Sequence, residues 1–128
     1  MTDLPLKSIK TAMSALGLNY GFVTYERKPI VYPYFVGEYT ETEGFTEDGL
    51  QEATFMLTGF NRGQSAWLAL ENAKKTIENY FTREGRTFTA DDGSIAVIMY
   101  GYSFPVPKED AELKSIQINL TVKEWKVT

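Results

Sequence analysis

Carboxylates are the first candidates for chemistry in this chain, because it has neither histidine nor cysteine. Without them there is no Ser-His or Cys-His nucleophile, no imidazole or thiolate metal site and no disulfide. Three adjacent acidic pairs remain: Glu47-Asp48, Asp91-Asp92 and Glu109-Asp110. Glycoside hydrolysis needs two carboxylates facing each other across a bond, and sequence neighbours rarely do. Asp91-Asp92-Gly93 reads as a hairpin turn, and the other pairs as solvated loop residues. No EF-hand spacing is present. Gly44 and Gly49 have the glycine spacing of a phosphate loop, but Leu50 follows where the lysine is needed. No two glycines are spaced Gly-x-Gly, and no serine precedes a lysine by three. The expectation is a protein that is not an enzyme, with no catalytic residues, no cofactor and no metal site.

What the residues offer instead is charge and aromatic surface. Residues 38–52 hold Glu38, Glu41, Glu43, Glu47, Asp48 and Glu52 with no lysine or arginine. They read as a long acidic loop. It is a solubilising connection, an arm that docks on a basic surface, or a divalent-cation site. For the docking reading the candidate residues are Glu41, Glu43, Glu47 and Asp48. Lys74, Lys75, Arg83 and Arg86, on or after the second helix, are the candidate receiving patch. Tyr20 to Tyr39 carries seven aromatic residues. A nucleic-acid stacking platform would need cations among them, and only Arg27 and Lys28 are near. Most of these rings read as core and sheet edge. Arg62 could hold an anion at a helix N-terminus or pair with a nearby carboxylate.

The elements that position these residues follow from periodicity. Leu6, Ile9, Met13 and Leu16 share one helical face, which predicts a helix over about 4–16 that Asp3 can cap and Gly17 can end. Phe22–Tyr25 and Ile30–Val36 read as extended, the second at an edge or broken at Pro33. Ala53–Phe60 is a strand. A second helix follows Ser65, with Trp67, Leu70, Ala73 or Lys74, Ile77 and Phe81 on one face and Gly85 as its stop. Strands at Arg86–Thr89 and Ser94–Tyr102 flank the Asp-Asp-Gly turn. The last strand buries Ile116, Ile118, Leu120 and Val122 by strict alternation. The order is α-β-β-β-α-β-β-β. The predicted class is α+β, a mostly antiparallel central sheet with two amphipathic helices packed on one face.

Composition sets the outer bounds. At 128 residues the chain is one domain, 1–128, with 43% hydrophobic residues to fill a core. A net charge of −4 argues against binding a phosphate backbone, so no sequence-specific nucleic-acid partner is expected. No apolar run reaches a bilayer span, and the N-terminus does not read as a secretory signal, so no membrane partner is expected.

The order of motifs carries a resemblance. Val31-Tyr32-Pro33-Tyr34-Phe35-Val36-Gly37-Glu38 leads into the acidic Thr/Glu stretch. Then come Thr54-Phe55-Met56-Leu57-Thr58-Gly59-Phe60, Arg62 and the Trp67 helix. Over nearly the whole chain this resembles the minor tail proteins of long-tailed bacteriophages, in particular the tail terminator, or tail-to-head joining (tail completion), family. The resemblance implies a ring-shaped homo-oligomer, typically a hexamer, that caps the tail tube, ends its growth and presents a surface to the head. The implied partners are further copies of the chain, the major tail tube protein and a head-connector or neck protein. The implied location is the virion tail or neck, after synthesis in the bacterial host cytoplasm. No active-site residues come with it. A head-closure protein of the neck, or a small α+β ligand-binding domain unrelated to phage, remain the alternatives.

Overall fold

A computed structural model describes residues 1–41, 49–63 and 65–126. Helix α1 (Asp3–Ala15) is followed by strands β1 (Asn19–Phe22), β2 (Tyr34–Glu41) and β3 (Leu50–Arg62). Helix α2 (Ala66–Phe81) precedes β4 (Arg86–Thr89), β5 (Ile95–Val106) and β6 (Leu113–Trp125). This is the α-β-β-β-α-β-β-β order read from the sequence. All six strands form one sheet, ordered β1-β2-β3-β6-β5-β4. Among the described residues, only β1 and β2 pair in parallel. Among the described residues, no helix is long and apolar enough to cross a membrane.

Alternation decides which side of the sheet is apolar. The register aligns Phe35, Gly59 and Ile116 across β2, β3 and β6, and Phe55 with Leu120 and Tyr100. These positions share a face, since side chains two apart point the same way. Phe35, Phe55, Leu57, Ile98, Ile118 and Leu120 are fully buried there. Ile9, Ala12 and Met13 of α1, and Leu70, Ala73, Ile77 and Phe81 of α2, join them in one cluster. Leu70, Ile77 and Phe81 are thus buried with Ile116, Ile118 and Leu120, as the two periodicities predict.

Helix α2 lies against β3, β6 and β5, whereas α1 touches β1 at one edge and β4 and β5 at the other. A single helix reaches both ends of a six-stranded order only if the sheet curls, which its intrinsic twist favours. Thr2 is the N-cap of α1. Its amide and hydroxyl donate to the buried carboxylate of Glu124, at 2.9 and 2.6 Å. The capping acid therefore comes from β6 and not from Asp3, which sits in the first turn.

Several boundaries differ from the sequence reading. Residues 38–41 belong to β2 and 50–52 to β3, so both ends of the acidic stretch are paired strand. Residues 42–48 lie outside the described residues. β1 stops at Phe22 because Val23 takes φ 67°, where a β-branched residue is strained, and its amide turns to the Gly37 carbonyl. β2 starts only after Pro33, which cannot donate to a ladder. Helix α2 ends at Thr82, itself at φ 58°, three residues before Gly85. β5 runs on through Pro105, because β4 covers only Ile95 to Ile98 and leaves the remainder at the edge.

Candidate assembly surface

The face of the sheet away from the buried cluster is built by the same register. Tyr34, Phe60, Ser115 and Val106 form one row across it; Val36, Thr58, Gln117 and Phe104 form the next. A β-bulge sets the last part of this face. Between Tyr100 and Tyr102 the register with β6 skips Gly101. A Cβ on Gly101 would lie 2.8 Å from the Asn119 carbonyl oxygen, so the kink fits glycine. Counting along β5 puts Tyr102 and Phe104 on the buried side with Tyr100. The bulge turns them out, leaving Tyr102 60% and Phe104 41% exposed, with their rings stacked at 6.1 Å.

A second aromatic group flanks them. Tyr25 stacks on Tyr34 at 4.6 Å, Tyr34 on Phe60 at 5.1 Å, and Tyr32 packs on Tyr34 at 5.5 Å. Lys108 holds its ammonium 5.2 Å from the Phe60 ring centroid, and Arg62 pairs with Asp110 at 2.8 Å. The Arg62 pKa rises through hydrogen bonds with Tyr32 and then Asp110. Asp110 is held low, first by Arg62 and then by the Glu112 amide. Burial raises the Tyr34 phenol, and the neighbouring Tyr32 and Tyr25 add to it. Of the two readings for Arg62, the carboxylate pair is the one formed.

The candidate residues occupy different places. Glu41, at the end of β2, is exposed and pairs with the Met1 amino group. Glu43, Glu47 and Asp48 lie outside the described residues. Lys74 pairs with Glu71 at 3.5 Å, and Lys75 is exposed on α2. Arg83 donates to the Gly101 carbonyl at 3.2 Å with the Tyr100 ring 5.6 Å away. Arg86 donates to the Tyr80 carbonyl at 2.9 Å and lies 3.9 Å over that ring. The two arginines thus fasten the end of α2 to neighbouring chain, and they do so from exposed positions. Asp91-Asp92-Gly93 is the expected hairpin: Ala90 bonds across to Ser94, and Ser94 donates to Asp92, holding that carboxyl below its usual range. Asp92 and Asp110 are therefore hydrogen-bond acceptors at neutral pH rather than proton donors. Among the described residues no three carboxylates converge as a cation site.

A cleft of about 430 Å³ opens where β5 ends and α2 begins. Trp67, Pro105, Pro107 and Leu113 wall it, and Lys108 and Lys114 stand at it. Ser115 also lines it; this serine is 2% exposed, and its hydroxyl has no hydrogen-bond partner among the described residues. Sequence reading missed this site, because Trp67 meets the β5–β6 connection only in the folded chain, nearly forty residues away in sequence. Gly101 inside a strand was a legible signal for the bulge. No protein-family model matches the chain, and no curated protein matches it.

Proposed function

We propose that the chain is a non-enzymatic structural protein of a long-tailed bacteriophage, the terminator that forms a ring on the tail tube. The ring, a hexamer in this reading, ends tube growth and gives the head its joining surface. Its partners are its own copies, the major tail tube protein and a head-connector or neck protein. It works in the virion tail or neck. Both helices pack on one face of the sheet in this reading and free the other face for assembly.

The observation that carries the proposal is the group of aromatic residues Tyr34, Phe60, Tyr102 and Phe104, in neighbouring rows on the face of the sheet away from the buried cluster, beside the part of β5 that β4 leaves unpaired. Large rings turned out of a core by a bulge are costly to leave in water and suit a protein interface. A closed ring also needs two different patches on each subunit. The curled sheet offers two unlike edges, β1 and β4–β5, for that purpose. The resemblance in the sequence supplies the particular assembly. Electron microscopy of the purified protein, alone and mixed with tail tubes, tests it. Rings of uniform diameter seated at one tube end are expected. A protein that stays monomeric and leaves tube ends bare overturns the reading.

A further inference from the structure

The cleft beside Trp67 reverses the charge of the chain. The net charge of the protein is −4. The residues that line the cleft bring two ammoniums, on Lys108 and Lys114, and, among the described residues, no carboxylate. Asp110, in the same β5–β6 connection, is held by Arg62 at 2.8 Å. Helix α2 begins at the cleft with no acidic residue in its first turn, and Ser65 makes no side-chain capping bond. The positive end of the helix dipole therefore adds to the two lysines.

The walls decide what must accompany an anion. Proline has no N–H, so Pro105 and Pro107 offer no amide donor and, with Trp67 and Leu113, make an apolar slot. At about 430 Å³ the space suits one end of a peptide. Ser115 lines it too, and its buried hydroxyl, without a hydrogen-bond partner among the described residues, is an unused donor. Lys114 gives one N–H to the Ala111 carbonyl at 2.8 Å and keeps the others. These groups together ask for a carboxylate with an apolar group beside it. The last residue of a peptide is the one unit of protein that holds both on the same carbon. An aspartate or glutamate has its carboxylate in place of an apolar side chain, so it fills only the charged half of the cleft.

We propose that the Trp67 cleft captures the free C-terminus of a partner chain that ends in a large apolar residue. The terminal side chain lies against Trp67, Pro105 and Pro107. The carboxylate faces Lys108 and Lys114 and accepts from the Ser115 hydroxyl, and such charge-assisted bonds are the strong kind. Capture of a chain end needs no ring, so the site goes beyond the terminator reading and does not depend on it.

The test titrates N-acetyl-Ala-Ala-Phe, with its C-terminal carboxylate free, into the full-length Trp125→Phe protein. Trp125 ends β6 and Leu113 at the cleft begins it, so the change is remote and Trp67 is left as the sole tryptophan reporter. A saturable change in Trp67 fluorescence is expected. Amidating the peptide's C-terminus, or changing the protein to Lys108→Gln/Lys114→Gln, should weaken binding about tenfold, and Ser115→Ala about threefold. N-acetyl-Ala-Ala-Ala, which lacks the ring, should bind about tenfold more weakly. Salt at about 0.5 M should weaken the free acid and leave the amide unchanged, because screening acts on the charged contact. Lys108 and Lys114 are exposed, so their variant reads the site even where Ser115→Ala disturbs the fold, which thermal melts report. No binding of the free acid, an amide as tight as the acid, or binding indifferent to the lysine changes overturns the proposal. N-acetyl-Phe-Glu-amide as tight as the free acid overturns it in favour of an acidic side chain. Phenylacetate as tight as the tripeptide overturns it in favour of a small free acid.

Discussion

Replacing Gly59 by alanine tests whether the buried side of the sheet is packed as described. Gly59 lies opposite Phe35 on β2, and a Cβ there would sit 2.4 Å from Phe35 Cε1 and 2.9 Å from both Cδ1 and Cζ. Comfortable carbon contacts begin near 3.5 Å, so the ring must retreat by about 1 Å. Phe35 is fully buried in the central cluster, so it has nowhere vacant to go. Overpacking of this kind costs about 1–3 kcal/mol. The alanine recovers about 0.4–1 kcal/mol by restricting the unfolded chain. The net expectation is a loss of about 1–2 kcal/mol. At this chain length that lowers the melting temperature by about 3–10 °C. Urea denaturation of Gly59→Ala, Phe35→Leu and the double variant measures it. Leucine removes the ring edge that the new methyl strikes, so the double variant should be more stable than the sum of the single losses implies. Gly59→Ala as stable as the parent, or strict additivity in the cycle, would refute the packing argument.

Phe81→Ala should cost about 3–5 kcal/mol by denaturant titration, since the ring is fully buried against β6 and β5. Gly101→Ala should destabilise by about 1–3 kcal/mol, because its methyl meets the Asn119 carbonyl. Deleting Gly101 should cost less, because Tyr102 still pairs with Asn119 and Tyr102 and Phe104 keep their outward face. Burial pushes the Tyr20 phenol up to about 12, so its neutral form stabilises the fold. That contribution is complete below the ordinary phenol range near 10 and is lost as pH rises toward about 12. Melts between those values should fall less steeply in Tyr20→Phe. The Asp110 carboxyl is depressed, so its contribution is present above its unfolded pKa and vanishes as pH falls through the lower folded value. Asp110→Asn should flatten the acid limb of the stability curve.

Periodicity carried the elements whose one face is buried. Leu70, Ile77 and Phe81 at helical spacing, and Ile116 to Val122 alternating, lie where their patterns placed them. The Asp-Asp-Gly turn was legible because its chemistry is local. Misreadings came where one residue redirects the chain. Val23 at positive φ ended β1 early, and Gly101 reversed the facing of everything after it in β5. The acidic stretch looked like loop because Glu38, Glu41 and Glu52 are poor strand formers, yet pairing with neighbours overrides so weak a preference. Of the candidate site, the charges were visible and the cleft was not. Its walls meet only after β5 and β6 form a hairpin beside the start of α2.

The most direct test of the terminator role is the length distribution of tail tubes assembled with and without this protein. Addition should give tubes of one length, each closed by a ring and able to join heads. Tubes that keep the same broad lengths and stay unattached to heads in its presence would contradict the account.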